Sequence, residues 1–431
     1  MSSTANDVPR STDVLVVGGG PAGSLLGGLL ARRGLDVVLV EKQVKLDRDF
    51  RGETIAGPSV IMLRALGYGP GLDEHGYLET TRVQMYMEGR PVFSVDYSKF
   101  GLDVLPIDIP QPGLINVFNE DAKLHPNYTH LVGTAFTGLL FDGDTVAGAT
   151  VKPADGSEAG IRARLVVGAD GRFSKVRAAA GLDAVITPME RDFQWFKLPR
   201  PADWGQEANL VIDGPQHLVV LPTFPDLLRI GHNIPKGKLK ELRAAGFEAF
   251  KQSVIEIDPR LEDLVHTHVQ SWRDTSFLDI FTAELPQWSR DGLLLIGDAS
   301  HTVTPLLGQG VNLGLQDAVT FVPAIVKALA SSAGPVPAAA LAEVEAARRK
   351  HKTGVTKYQR MQEGALGKHK PLAVAVRRLR FRLLDKLSVK YKIFSRVIDL
   401  PHAIDPMELQ LGRDALVRRS AASAAPAAPA A

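Results

Sequence analysis

The chain has 431 residues, 45 % of them hydrophobic, and its 50 Lys and Arg against 48 Asp and Glu leave a net charge of only +2. That length supports a large core in more than one lobe, and the balanced charge gives no support for nucleic-acid binding through a broad basic field. With no cysteine at all, disulfides, thiolate metal sites and cysteine nucleophiles are excluded, and nothing in the sequence suggests a metal centre.

Residues 1–12 are polar and lack the basic-then-apolar order of a secretory signal. No uncharged apolar run approaches the ~18 residues that span a bilayer; the stretch 318–330 is broken by Pro323 and Lys327. A cytoplasmic protein without a transmembrane segment is expected. Residues 13–17 (DVLVV) form an apolar run that ends in glycines and predict a buried parallel strand. Helical composition over 24–33 stops at Gly34, and residues 35–40 (LDVVLV) predict a second buried strand, closing a βαβ unit. Strand-like runs at 165–167 and 293–296 are each followed by Gly and soon by Asp. An open α/β sheet follows, with its ligand along the C-terminal edge of the strands.

Mixed alternation over 83–95 and 210–234 predicts a substrate-facing sheet inserted into that fold. From residue 341 onward the chain reads as helical, and 371–397 carries many Arg and Lys among Leu, Val and Phe. Residues 420–431 contain only Ser, Ala and Pro and are expected to be a disordered tail. The expected domains are a discontinuous dinucleotide-binding unit (1–80, 111–182, 281–366), a substrate domain (81–110, 183–280) and a helical segment (367–419).

Gly18-Gly19-Gly20-Pro21-Ala22-Gly23 is a GxGxxG between a strand and a helix, where glycines let the backbone approach a pyrophosphate at the positive helix end. Glu41 closes the second strand, where a carboxylate can accept from both adenosine ribose hydroxyls. The plain alternative is a tight turn in an unrelated α/β protein, and the motif alone does not separate FAD from NAD.

Two later segments do. Gly168-Ala169-Asp170-Gly171-Arg172-Phe173-Ser174-Lys175-Val176-Arg177 is one; Gly297-Asp298-Ala299-Ser300-His301 with Pro305, Gly308-Gln309-Gly310, Asn312 and Asp317-Ala318 is the other. In this order they resemble the motifs of the para-hydroxybenzoate-hydroxylase-like, class A flavoprotein monooxygenases. The resemblance implies a Rossmann-like, GR2-type FAD-binding domain with an inserted mixed or antiparallel sheet. It implies FAD as cofactor and NADPH or NADH as reductant. The residues it places at the cofactor are Gly18, Gly20, Pro21, Ala22, Gly23, Glu41, Lys42, Arg51, Asn119, Phe136, Asp170, Asp298, Pro305, Gly308, Gly310, Val311 and Asn312.

Several of these also have a direct physical reading. Asp298 follows an apolar strand, so its carboxylate would meet the ribityl hydroxyls at the sheet edge; its ordinary alternative is a helix cap. The glycine-rich run from Pro305 to Asn312 opens a helix whose free N–H groups would face the flavin end that gains negative charge on reduction. The resemblance sets Pro305 by the flavin ring and implies a packing role for His301 rather than a catalytic one. It also implies that Arg51 reaches the pyrophosphate or ribityl chain, with a solvated loop charge as the alternative. Asp170 has the alternative of a plain turn residue. Asn119 departs from the resemblance: relatives carry Arg or Gln at the start of a helix there, and Asn119 would take that place with a shorter reach.

On the substrate side the candidates are Trp195, His217, Phe224, Arg229 and His232, with aromatic packing and satisfied histidines as the competing readings. No catalytic base is assigned. The implied reaction inserts one oxygen atom of O2 into a small aromatic or polyketide-like molecule through a flavin C4a-hydroperoxide. A halogenase, a prenyl-chain reductase and a non-enzymatic prenyl-binding protein remain open on the same scaffold. The basic segment around Arg377, Arg378, Arg380, Arg382, Lys386, Lys390 and Lys392 is expected to be a solvated helical face, with peripheral membrane contact as its alternative.

Overall fold

The computed structural model describes residues 8–45, 53–366, 371–398 and 404–424; Arg51, expected at the cofactor, lies outside them. The first sheet centres on parallel strands in the order Leu293–Leu295 (β20), Ala159–Gly168 (β11), Ser11–Val17 (β1), Val37–Glu41 (β2) and Tyr128–Val132 (β8). Their Val and Leu side chains are buried on both faces, as a parallel sheet covered by helices requires. Ser289–Arg290 (β19) adds an antiparallel edge, and Ala135–Asp142 (β9) with Thr145–Lys152 (β10) extends β11 as a hairpin.

Helix Pro21–Arg32 (α1) lies against Gln111–Ala122 (α4) and Gln309–Ser331 (α9), while Gly57–Ala65 (α2) and Gly69–His75 (α3) pack beside them. Among the described residues α9 is the one helix long and apolar enough to cross a membrane. It is instead a core helix: Leu315, Val319, Phe321, Val322 and Ile325 are buried in the main cluster. Its buried Asp317 pairs with His301 and Arg348.

The second sheet has seven strands in the order Thr275–Leu278 (β17), Arg191–Pro199 (β13), Leu227–Pro235 (β16), Gln216–Thr223 (β15), Glu207–Asp213 (β14), Arg82–Met87 (β5) and Arg90–Asp96 (β6). One face is covered by Leu239–Ala245 (α6), Phe247–Ile257 (α7) and Glu262–His268 (α8), burying Phe196, Leu198, Leu218, Val220, Leu228 and Ile230 against Phe250 and Val254. The alternate positions therefore turn the other way, towards the first sheet. Two small sheets join the lobes: Thr54–Ile55 (β3), Ile107–Asp108 (β7) and Leu78–Glu79 (β4); and Val185–Pro188 (β12), Phe281–Glu284 (β18) and His301–Thr302 (β21).

Lys175–Ala179 (α5) follows β11. Ala342–Leu366 (α10) packs on α9, and Pro371–Asp385 (α11) with Val389–Ile398 (α12) covers β6 through Phe381, Tyr391 and Phe394 around Phe93. Pro406–Ala424 (α13) returns to α2, held by ion pairs from Arg33 to Asp405 and Glu408. This corrects the expected tail: the chain is still helical from Ser420 to Ala424. Alanine is the strongest helix former, so an Ala-rich composition does not by itself end a helix.

Candidate active site

One cavity of about 390 Å³ runs between the two sheets. Its nucleotide end is bordered by Gly20, Pro21 and Ala22 where β1 turns into α1. Gly18 makes that turn with φ of 110°, and a Cβ there would lie 2.5 Å from the Ala169 carbonyl oxygen. The two motif loops therefore touch through backbone alone. Glu41 ends β2 with its carboxylate accepting from the backbone N–H of Gly19 and of Gln43, both at 2.9 Å. Lys42 beside it is exposed.

The middle of the cavity is bordered by Asp298, Pro305, Gly308, Gly310 and Val311. Asp317 fixes this stretch from behind. It accepts from Gly297 N at 3.0 Å, from His301 Nε2 at 2.8 Å and from Arg348 Nε at 2.7 Å. Burial alone would push its carboxyl up, but Arg348 and His301 outweigh it and hold the pKa down to about 2. His301 is thus a positioning residue. Asn312 is another: its Oδ1 accepts from Ala56 N at 2.9 Å, and its Nδ2 donates to the carbonyls of Thr54 and Gly308.

Neither α1 nor α9 has a side-chain cap at its N-terminus, and both ends open on this cavity. Uncapped N–H groups and the positive helix end suit anionic groups. The cavity thus presents two such ends and the half-buried Asp298, groups that could hold the anionic and hydroxyl-bearing parts of a flavin nucleotide. These residues fit FAD.

Other expected cofactor residues lie elsewhere. Gly23 is in the first turn of α1, with its Cβ direction only 2.0 Å from the Gly18 carbonyl oxygen. Asp170 is spent on capping: its carboxylate accepts from Ser174 Oγ, Lys175 N and Val176 N, while its neighbours Ala169 and Gly171 border the cavity. Phe136 is buried in the core of the first sheet. Asn119 lies in the second half of α4, not at a helix start, and does not border the cavity. The residue at the start of α4 that does is Gln111, which the sequence reading passed over. Pro110-Gln111-Pro112 ahead of an apolar run was the available signal, because proline favours the first helical turn.

The substrate end is walled by side chains. Phe193, Trp195, His217, Val219, Leu221 and Arg229 face it from β13, β15 and β16. The Arg229 guanidinium lies 5.3 Å from the centre of the Trp195 ring and 3.5 Å from Glu53. Glu53 also receives Thr223 Oγ1 at 2.8 Å and sits 3.5 Å from Lys197 Nζ. Asp108, at the end of β7, borders the cavity with both oxygens accepting from hydroxyls: Thr54 Oγ1 at 2.6 Å and Thr80 Oγ1 at 2.5 Å. Burial pushes the Asp108 carboxyl up, Arg229 pulls it down and Glu53 pushes it up further. Burial and then Arg191 hold His217 down to about 3, so it is neutral near pH 7.

Two substrate candidates fall outside the cavity. His232 lies on the opposite face of its strand, with Nε2 3.3 Å from Ser253 Oγ and its ring edge-on to Phe250. It is an odd number of residues from Arg229, and side chains alternate along a strand. Phe224 packs against His75 and Gly76 rather than the cavity.

The fold and the paired helix ends define a flavin nucleotide-binding protein, and comparison with known proteins agrees. The FAD binding domain family matches residues 11–358. The chain belongs to that family and is an FAD-dependent oxidoreductase. Among its relatives, 6-methylpretetramide 4-monooxygenase from Streptomyces rimosus is 37 % identical over 74 % of this chain and 76 % of its own length. Protoasukamycin 4-monooxygenase from Streptomyces nodosus subsp. asukaensis is 28 % identical over 79 % of this chain and 84 % of its own. Among solved structures, Pseudomonas aeruginosa PqsL with 2-aminobenzoylacetate superposes with a TM-score of 0.73 at 23 % identity, covering 88 % of this chain and all of PqsL. That last likeness speaks for the fold alone.

Proposed function

We propose that the protein is an FAD- and NAD(P)H-dependent monooxygenase that hydroxylates a phenolic or enolic, polyketide-like aromatic with O2. One observation carries the reading: a single cavity joins two uncapped helix ends to an aromatic wall that also holds a buried guanidinium and a buried carboxyl. FAD bound there supplies hydride acceptance and oxygen activation, chemistry that no side chain provides. The protein's part is to bind, orient and move a proton.

The N–H groups at the start of α1 would hold the pyrophosphate, Glu41 the ribose hydroxyls, and Asp298 with Gln111 the ribityl chain. Trp195, Phe193, Val219 and Leu221 hold the flat ring system and exclude water. Asp108 accepts the proton of a substrate hydroxyl. Its two threonine bonds use only part of the carboxylate's acceptor capacity. Burial raises its basicity, and Arg229 balances the negative charge left on the ring. An electron-rich phenolate is the better acceptor for an electrophilic oxygen. The 4-monooxygenase names of the two Streptomyces relatives support this class of reaction.

The test uses purified holoenzyme, NADPH or NADH, a panel of polycyclic phenols and labelled O2, with halide present and absent. The expected result is substrate-stimulated NAD(P)H oxidation and one labelled oxygen in the product. Halogenated product, or reduction without label, would refute it.

A further inference from the structure

Helix α11 has two apolar faces. The inner one, with Val374, Phe381 and Leu384, packs on β6. On the outer one Leu372, Val376, Leu379 and Leu383 recur at helical spacing, continued by Leu387 beyond the helix end, and all are between 48 % and 78 % exposed. Single exposed leucines are ordinary; a contiguous stripe of large apolar side chains marks a contact surface.

We propose that this outer face docks on an anionic lipid surface. The flanking charge selects that occupant. Arg378, Arg380, Arg382 and Lys386 lie along α11 and its end, and Asp385 is the only acid between residues 371 and 392. Asp385 is turned inward, accepting from Ser94 N and Lys390 Nζ. Arg378 is partly neutralised by Glu88, which leaves Arg380, Arg382 and Lys386 beside the stripe. An apolar stripe bordered by cations is the pattern of a helix lying in a bilayer interface, with long basic side chains reaching up to the head groups. A second copy fits less well, because pairing two stripes would set the same cations against each other.

The position suits a sparingly soluble substrate. Arg377, on the inner side of α11, is buried and close enough to Arg191 and His217 of the cavity to act on their charge. Docking would therefore bring the substrate end of the cavity near the lipid. The inference stands on the helix alone and does not depend on the reaction proposed above.

The experiment is co-sedimentation of holoenzyme with vesicles of phosphatidylcholine, alone or mixed with phosphatidylglycerol, alongside light scattering. The protein is expected to pellet with the mixed vesicles only and to be released at high salt. The double variant L379S/L383S should lower partitioning roughly tenfold or more, since it removes the buried apolar area. The double variant R380E/R382E should do the same through charge, keeping the stripe. Both should retain bound flavin, as the side chains face outward. Failure of the parent protein to pellet, pelleting that survives both variants, or a dimer that L379S/L383S dissociates without any vesicle binding would each overturn the proposal.

Discussion

At the nucleotide end of the cavity the wall is mostly backbone, and at the substrate end it is mostly side chain. Gly20 and Ala169 line it with almost no side-chain volume, with Gly18 against Ala169; Gly308 and Gly310 continue that backbone wall to the middle, and two helix ends open on it. Across the cavity, Trp195, Phe193, His217 and Arg229 supply shape and charge from strands of the second sheet, and Asp108 adds a carboxyl from β7 of a small one. Backbone walls fix one ligand and tolerate little change. Side-chain walls can be rewritten one residue at a time, so the first end defines the family and the second the substrate.

The sharpest break of that contrast is a methyl group on the backbone side. In G23A the new Cβ would meet the Gly18 carbonyl oxygen at 2.0 Å, and neither side of the clash can rotate away. Loss of retained FAD is expected, read as the flavin-to-protein ratio after gel filtration. Retention of a full complement of flavin would show that the turn is not a close-packed cradle.

Next in size is D317N, which removes the carboxylate shared by His301, Arg348 and Gly297 N behind the Asp298 loop. Breaking a buried pair in this way costs about 3–5 kcal/mol, seen as a lower melting temperature. The pH sign follows from the depressed pKa. Above an unfolded value of ~3.9 the stabilisation is fully present, and it is lost as pH falls through the folded value of about 2. The gap between parent and variant should therefore be widest above pH ~4 and narrow in stronger acid.

On the side-chain wall, D108N should lower kcat on a phenolic substrate by about 10²- to 10³-fold while leaving FAD content intact. In the parent, kcat should rise with pH through the raised Asp108 pKa, because the carboxylate must be ionised to accept the proton. That limb should disappear in D108N and shift in D108E. H217N should leave it in place, since His217 is already neutral across that range. A merely structural Asp108, tying β3 to the chain just after β4 through Thr54 and Thr80, would lower the melting temperature without moving the pH profile.

Legibility followed the same divide. The α/β fold, its parallel strands and the dinucleotide turn follow from glycine spacing and apolar runs, which are local properties; that the nucleotide is a flavin follows from the resemblance carried by the two later segments. What failed was side-chain direction. Asp170 sits in its expected loop but caps α5, and Asn312 sits at its expected helix start but braces β3. His232 and Arg229 were grouped by residue type, although strand alternation already sends them to opposite faces. Asp108 and Thr80 carry no sequence signal, because short strands far apart in the chain bring them together.

The smallest expected effect separates two residues of one helix. The resemblance places Asn119 at the cofactor, whereas the structure sets Gln111 at the cavity and buries Asn119 farther along α4. Loss of one hydrogen bond to the cofactor is worth about 0.5–1.5 kcal/mol, so Q111A should weaken FAD binding by roughly tenfold at most in titrations of apoprotein. N119A should leave that affinity unchanged and alter only the melting temperature, because no cavity atom is touched. The opposite ranking would mean that α4 presents its second half to the cofactor. That would require the helix to rotate against α1, breaking the buried Arg32–Asp121 pair at 2.8 Å, and the cost of exposing that pair is the reason to expect Gln111.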